Sequence, residues 1–135
     1  MSIVEVLQKG AEYTNRDEAA REMLADFTDH KVGMQLDDTA VTLVVKDSVV
    51  SLEEGMREDC HVAISLTTQN MCGAIDDSFD LMEIKDKGEI LKGDVNDSGT
   101  AVHFMATFPF FDAMVRLYQD DPDFKKMVDD IKSSV

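Results

Sequence analysis

The sequence has no tryptophan, only two prolines and only two cysteines in 135 residues. Cys60 and Cys72 do not form a Cys-x-x-Cys pair, and without a second pair no structural zinc site is expected. Both have apolar neighbours, so we expect two buried thiols. No apolar run approaches the roughly 18 residues that a membrane crossing requires, and no charged-then-apolar leader opens the chain. We therefore expect a cytoplasmic location without stable membrane insertion.

Basic residues are also scarce, since 13 lysines and arginines face 28 aspartates and glutamates, for a net charge of −15. Binding to nucleic acid depends on basic side chains that neutralise phosphates, so this balance excludes nucleic acid as an expected partner. The same balance opposes tight docking on anionic membrane surfaces. The simplest meaning of the acidity is solubility.

The chain is long enough for one domain with a proper core, and 44% of its residues are hydrophobic. We find no internal repeat, low-complexity segment or linker. The sequence therefore predicts a single α+β domain over residues 1–135.

Helical patterns open the chain. Ser2 and Glu5 have the spacing of a capping box, which predicts a first helix that stops near Gly10. Asn15 is placed to cap a second helix. Between residues 32 and 66 the pattern alternates every second residue, which predicts four strands, and their short connections favour an antiparallel meander.

Helical spacing returns after these strands. The pair Thr67-Thr68 is expected to cap a helix, and Ser78 to cap the next. Pro109 must break the apolar stretch that begins near Thr100. Asp121 with Pro122 predicts the start of a final helix.

Motifs for chemistry are missing. There is no glycine-rich phosphate loop and no nucleophile elbow. The three histidines, His30, His61 and His103, lie in three different predicted elements, so we expect each to be structural or at the surface. Residues 94–99 resemble part of a calcium loop, but the twelfth position is Met105 instead of glutamate. We therefore expect no catalysis, no metal and no cofactor.

One apolar set remains to be explained. The later predicted helices are rich in methionine and phenylalanine, and ordinary core packing accounts for many of these residues. Methionine is flexible and polarizable, so such a set also suits a cavity that accepts varied ligands. The residues are Met71, Phe79, Met82, Phe104, Met105, Phe108, Phe110, Phe111 and Met114.

The order of elements resembles the sterol carrier protein type 2 (SCP-2-like) lipid-binding domain family. The residues that carry the resemblance are the strand Asp59–Leu66, the pair Thr67-Thr68, and the segment from Gly88 to Asp94. The last resembles the family's glycine-bracketed short strand. The resemblance covers about residues 15–118, so the ends of the chain are expected to be helical extensions.

The resemblance implies a five-stranded, mostly antiparallel sheet covered by helices, with an apolar tunnel between them. It also implies non-catalytic binding or carriage of a sterol, fatty acid, fatty acyl-CoA or phospholipid. A protein-interaction or homodimerisation module with a filled cavity is the alternative. The residues expected to bind the ligand are Met71, Ile75, Phe79, Met82, Leu91, Phe104, Met105, Phe108 and Phe111.

Overall fold

The computed structural model describes residues 2–27, 29–78, 83–93 and 98–134. The helices in these ranges are α1 (Ile3–Arg16), α2 (Glu18–Leu24), α3 (Thr68–Ile75), α4 (Ile84–Lys87), α5 (Ser98–Met105), α6 (Phe108–Asp120) and α7 (Pro122–Ser133). The strands are β1 (His30–Leu36), β2 (Thr39–Lys46), β3 (Val49–Glu54), β4 (Val62–Leu66) and β5 (Glu89–Lys92). The helix predicted after Ser78 begins outside the described residues, and most of the calcium-like segment also lies outside them.

The strands form one five-stranded sheet in the order β3-β2-β1-β4-β5. The pairs β1–β2, β2–β3 and β4–β5 are antiparallel, whereas β1 and β4 run parallel. The predicted mostly antiparallel α+β sheet is confirmed. The predicted four-strand meander is wrong at its last step, because β4 pairs with β1 instead of β3.

Residues 55–61 make this change of position possible by crossing one face of the sheet. The buried hydroxyl of Thr42 donates to the Gly55 carbonyl at 2.8 Å and accepts from the Arg57 amide at 3.0 Å. On β1, Gly33 leaves the room that the crossing needs, since a Cβ there would lie 2.9 Å from Cγ of Met56. The Thr42 hydroxyl thus holds residues 55–61 against the sheet, and the lack of a side chain at Gly33 gives them the space. This segment is called the crossover below.

Replacing Thr42 with valine is expected to lower the free energy of unfolding by about 1–3 kcal/mol, because the Gly55 carbonyl and the Arg57 amide lose a buried partner. Urea denaturation measures the change. Thr39→Val, the same substitution at a half-buried position of β2, is the control. Equal losses in the two variants would contradict the role given to the Thr42 hydroxyl.

The first helix is longer than its sequence predicts. It does not stop near Gly10, because this glycine is where α6 approaches closely: a Cβ there would lie 2.5 Å from Sδ of Met114. The cap of α2 is Asp17, which accepts from the Ala20 amide, and not Asn15. Asn15 instead exchanges two hydrogen bonds of 2.8 Å with the backbone of Val50 on the edge strand β3.

Other predicted helix ends are confirmed. Ser2, Thr67 and Asp121 cap α1, α3 and α7 by accepting hydrogen bonds from first-turn amides. Pro109 lies in the first turn of α6, where its missing amide proton has no cost, and it separates α6 from α5. The apolar sides of these helices cover the sheet face formed by residues such as Met34 and Ile64.

Candidate functional site

The candidate site is the region where α5 lies over β1 and β4. The underside of α5 is apolar, since Phe104 is buried and its ring meets the Phe108 ring edge-on at 5.7 Å. Phe108 begins α6 and is half-buried against the core. The contact between the Phe104 and Phe108 rings therefore connects α5, which lies on the sheet, with α6 in the helical layer.

The predicted ligand-binding residues fall into two groups. Met71, Ile75 and Phe111 are fully buried in the core, on α3 and α6. Leu91 and Met105 are exposed, by 49% and 46% respectively. Phe104 and Phe108 lie between these extremes, and Phe79 and Met82 lie outside the described residues.

The centre of the helical layer is filled by side chains. Phe110 and Phe111 are both buried, with their ring centroids 5.5 Å apart. Met114, one turn further along α6, packs against Gly10 of α1. Large side chains thus occupy the space between α1, α3 and α6.

Two surface clefts lie elsewhere. One of about 190 Å³ opens between α1, α6 and α7 beside Lys9, Tyr13 and Phe124. Another of about 410 Å³ lies around α2 beside Arg16 and Glu22. Neither cleft is lined by any of the predicted ligand-binding residues that lie in the described ranges. Their linings carry charges of both signs, which does not suit an apolar ligand.

The three histidines lie together beneath and beside α5. The Nδ1 atoms of His30 and His103 are 2.7 Å apart. The ring of His61 stacks on that of His103, with centroids 3.9 Å apart and planes inclined by 8°. These three side chains are called the histidine cluster below. Sequence reasoning placed them in separate elements and missed it.

The parallel pairing of β1 and β4 explains the cluster. Neighbouring parallel strands start at the same end of a sheet. His30 at the start of β1 and His61 just before β4 therefore become neighbours. Val32 pairs with Val62, and the His61 amide donates to the Lys31 carbonyl at 2.9 Å. An antiparallel meander would not have brought these two positions together, and no local pattern in the sequence indicates it.

Burial lowers the pKa of His30 below the ordinary value of 6.5; the neighbouring His61 lowers it further, whereas Asp29 raises it. Burial also lowers the pKa of His103, and His61 and His30 act in the same direction. Both rings therefore favour the neutral form more than a histidine in water does.

The cluster is not arranged as a metal site. No group of three metal-binding side chains in the described part of the chain is placed to hold an ion. Two nitrogens bound to one zinc at about 2.0–2.1 Å lie roughly 3.3 Å apart in tetrahedral geometry. The 2.7 Å between His30 and His103 is instead the length of an N–H···N hydrogen bond.

The two cysteines are free and buried, as predicted. Burial, together with the nearby Asp76 carboxylate, raises the pKa of the Cys72 thiol to about 11. A thiol in this state is a poor nucleophile, so Cys72 is a packing residue. None of the helices in the described ranges combines the length and apolar character that a membrane crossing needs.

Comparison with known proteins identifies the fold. No protein-family model matches the chain, and no curated protein matches it. Among solved structures, sterol carrier protein 2 superposes with a TM-score of 0.64 at 12% identity, covering 82% of this chain and 94% of its own. A conserved hypothetical protein from Thermus thermophilus, suggested to be a sterol carrier protein, gives 0.60 at 15% identity, covering 84% and 86%.

A ubiquinone synthesis protein, UbiJ-SCP2, superposes with a TM-score of 0.54 at 13% identity, covering 90% of this chain and 98% of its own. Identities this low establish a shared architecture and nothing finer. The superpositions span most of both chains, sheet and helices together. The chain therefore has an SCP-2-like α+β fold, as the glycine-bracketed strand and the Thr67-Thr68 cap suggested.

Proposed function

We propose that this protein binds and carries a lipid or fatty-acyl molecule without changing it chemically. The fold supports the proposal, because it is shared with a protein named sterol carrier protein 2. The observation that carries it is a group of apolar side chains left exposed beside the sheet. They are Leu91 on β5 and Val102 and Met105 on α5.

Two of these exposed residues lie on α5 and the third lies on the edge strand β5. Both α5 and β5 contact β4, so the two elements that carry Leu91, Val102 and Met105 adjoin the same strand. Burial of apolar surface is worth roughly 25 cal/mol per Å², so an acyl chain that covers them gains free energy. Part of that gain is offset by the loss of freedom on binding.

The proposed ligand lies along α5 and enters beneath it. In this arrangement Leu91, Met105 and Phe108 contact the ligand first, and Phe104 is uncovered as α5 moves. The deeper predicted residues Met71, Ile75 and Phe111 form the floor of the site. Binding thus requires a rearrangement of the helices, because these floor residues are buried in the present structure.

The surface charge narrows the class of ligand. A net charge of −15 opposes a phosphate-bearing headgroup. Among nearby cations, Lys92 already donates to the Glu58 carbonyl at 2.9 Å. We therefore favour a neutral lipid such as a sterol, and after it a fatty acid with its single carboxylate, over a ligand that carries phosphate.

A second function has its own support. Phe110 and Phe111 fill the interior of the helical layer, as a module with a closed core would require. The exposed side chains of α5 and β5 would then contact a second copy or another protein. This is the interaction module that the sequence left as the alternative.

Native mass spectrometry of the purified protein, with titration of a fluorescent fatty acid, separates the two functions. We expect a monomer that retains or takes up one lipid molecule. A dimer without lipid, which also fails to bind the probe, would overturn lipid binding and favour the interaction module.

Leu91→Gln and Met105→Gln are each expected to weaken binding of the fatty acid probe by about tenfold, because a buried apolar contact of roughly 1.4 kcal/mol is lost. Val49→Gln is the matched control, since Val49 is exposed by 46%, like Met105, but lies on the opposite edge strand β3. All three variants should keep their stability. If Val49→Gln weakened binding as much, the proposed site would be wrong.

A further inference from the structure

We propose that the histidine cluster is a pH-sensitive contact that holds α5 on the sheet at neutral pH and releases it on acidification. The three rings come from the start of β1, the approach to β4, and α5. They form the polar part of the contact between α5 and the strands. This inference does not depend on lipid binding, because it concerns the free protein.

The geometry fixes how many protons the two Nδ1 atoms of His30 and His103 share. At 2.7 Å, one of the two Nδ1 atoms of His30 and His103 must carry a proton and the other must not. A second proton on this pair would direct two N–H groups at each other. The contact therefore requires that at least one of the two rings be neutral.

His61 adds a second constraint of the same kind. Its Nδ1 accepts from the Lys31 amide at 3.2 Å, so this nitrogen is unprotonated in the structure. Its ring lies flat against His103 at 3.9 Å, a position in which two imidazolium rings repel each other. A proton on Nδ1 of His61 would oppose the Lys31 amide as well.

The charged groups around the cluster do not cancel this repulsion. Asp29 favours a charged His30, but its carboxylate is 3.4 Å from the ammonium of Lys31. The same ammonium lies 3.7 Å from the carboxylate of Asp59, which precedes His61 by two residues. The Lys31 ammonium therefore partly neutralises both carboxylates, so they stabilise a protonated histidine ring less.

The remaining neighbouring elements contribute little negative charge. On β2, Val45 pairs with His30 and is followed by the cation Lys46. On β5, the cation Lys92 is opposite Ala63. Before β1, Phe27 presents its ring to His30 at 5.6 Å and follows Asp26, the remaining acid of that turn. Among the described residues 101–105 of α5, His103 is the one titratable group.

The direction of the effect follows from these surroundings. The pKa values of His30 and His103 are lowered in the folded protein, with burial as the first cause. Once α5 separates, the rings return towards their ordinary value of 6.5 and bind protons more readily. Between the two values the separated state holds more protons, so a falling pH favours it.

Amide hydrogen exchange of the unmodified protein at about pH 7.5 and about pH 5.5 tests the proposal across the range where histidine titrates. The reporting amides are those of Ala106 and Thr107, which donate to the Val102 and Phe104 carbonyls at the end of α5. After correction for intrinsic rates, their protection should fall at the lower pH. The fall should reach at most about tenfold for each ring that must be neutral in the docked state, because a free ring with a pKa of 6.5 is about tenfold more protonated than neutral at about pH 5.5. Amides of α7 should change little.

His103→Asn is the control variant, because asparagine offers a polar group near the Nδ1 position but does not titrate. In this variant the protection of Ala106 and Thr107 should depend on pH less strongly over that range, because only one histidine of the hydrogen-bonded pair remains. Nitrogen-15 spectra of the histidine rings provide a second measurement. They should show Nδ1 protonation shared between His30 and His103, with titration below 6.5.

Two results would overturn the proposal. The first is α5 protection in the unmodified protein that does not change with pH. The second is an equal fall in His103→Asn, which would assign the effect to other groups. If His103→Asn does not fold, the ring spectra decide alone, and independent titration of His30 and His103 near 6.5 would count against it.

Discussion

Replacing Phe110 with alanine is expected to lower the free energy of unfolding by about 3–5 kcal/mol, the usual cost of removing a buried aromatic ring from a core. Phe110 is fully buried on α6 beside Phe111 and close to Gly10 of α1. The helices meet around this ring, so they cannot close the space without losing other contacts. A domain of this size has about 5–15 kcal/mol of stability in total, so the variant should be close to unfolding.

Chemical denaturation of the variant and of Phe108→Ala gives the comparison. Phe108 is two residues away on the same helix but only half-buried. Its replacement should cost clearly less, because less surface returns to water and less empty volume remains. A similar loss in both variants would contradict the view that Phe110 fills the centre of the helical layer.

Replacing Gly88 with alanine is expected to displace β5 and to lower the free energy of unfolding by about 1–3 kcal/mol, the range typical of overpacking. A Cβ at this position would lie 2.2 Å from the Ser65 carbonyl oxygen and 2.6 Å from Cδ2 of Leu66. Ser65 belongs to the β4–β5 ladder, where it is opposite Glu89. Backbone cannot move aside without breaking that ladder.

Gly33→Ala is the matched control for this change. There the new Cβ would meet side-chain atoms, Cγ of Met56 at 2.9 Å and Sγ of Cys60 at 3.2 Å, which can shift without breaking a strand ladder. We therefore expect a smaller loss of stability than in Gly88→Ala. Hydrogen exchange should show faster exchange of the β5 amides in Gly88→Ala but not in Gly33→Ala. If Gly33→Ala were the more damaging variant, the steric explanation for Gly88 would fail.

Gly88 also explains part of the resemblance seen in the sequence. It is the first glycine of the segment that ends at Asp94, and its role is a close approach to the backbone of β4. Its partner Gly93 has a φ of +86°, a conformation that glycine adopts readily. Each of the two positions thus favours glycine for a physical reason, steric at Gly88 and conformational at Gly93. The short strand between them could therefore be recognised in the sequence.

Local features were predicted well. The caps Ser2, Thr67 and Asp121 and the break before Pro109 are confirmed, since each depends on hydrogen bonds or sterics within a few residues. Gly10 was interpreted wrongly because a glycine inside a helix has the same local signature as one that ends it. Only the approach of Met114 from α6 distinguishes the two cases.

For the candidate site, the sequence determined which residues are apolar and which elements carry them, because periodicity and capping are local properties. The tertiary structure alone decided their exposure: Phe111 is buried, whereas Leu91 and Met105 face outwards. It also decided that the histidines meet, through the parallel pairing of β1 and β4. Strand order depends on contacts between distant residues, and here on a crossover held by Thr42, so no window of the sequence contains it.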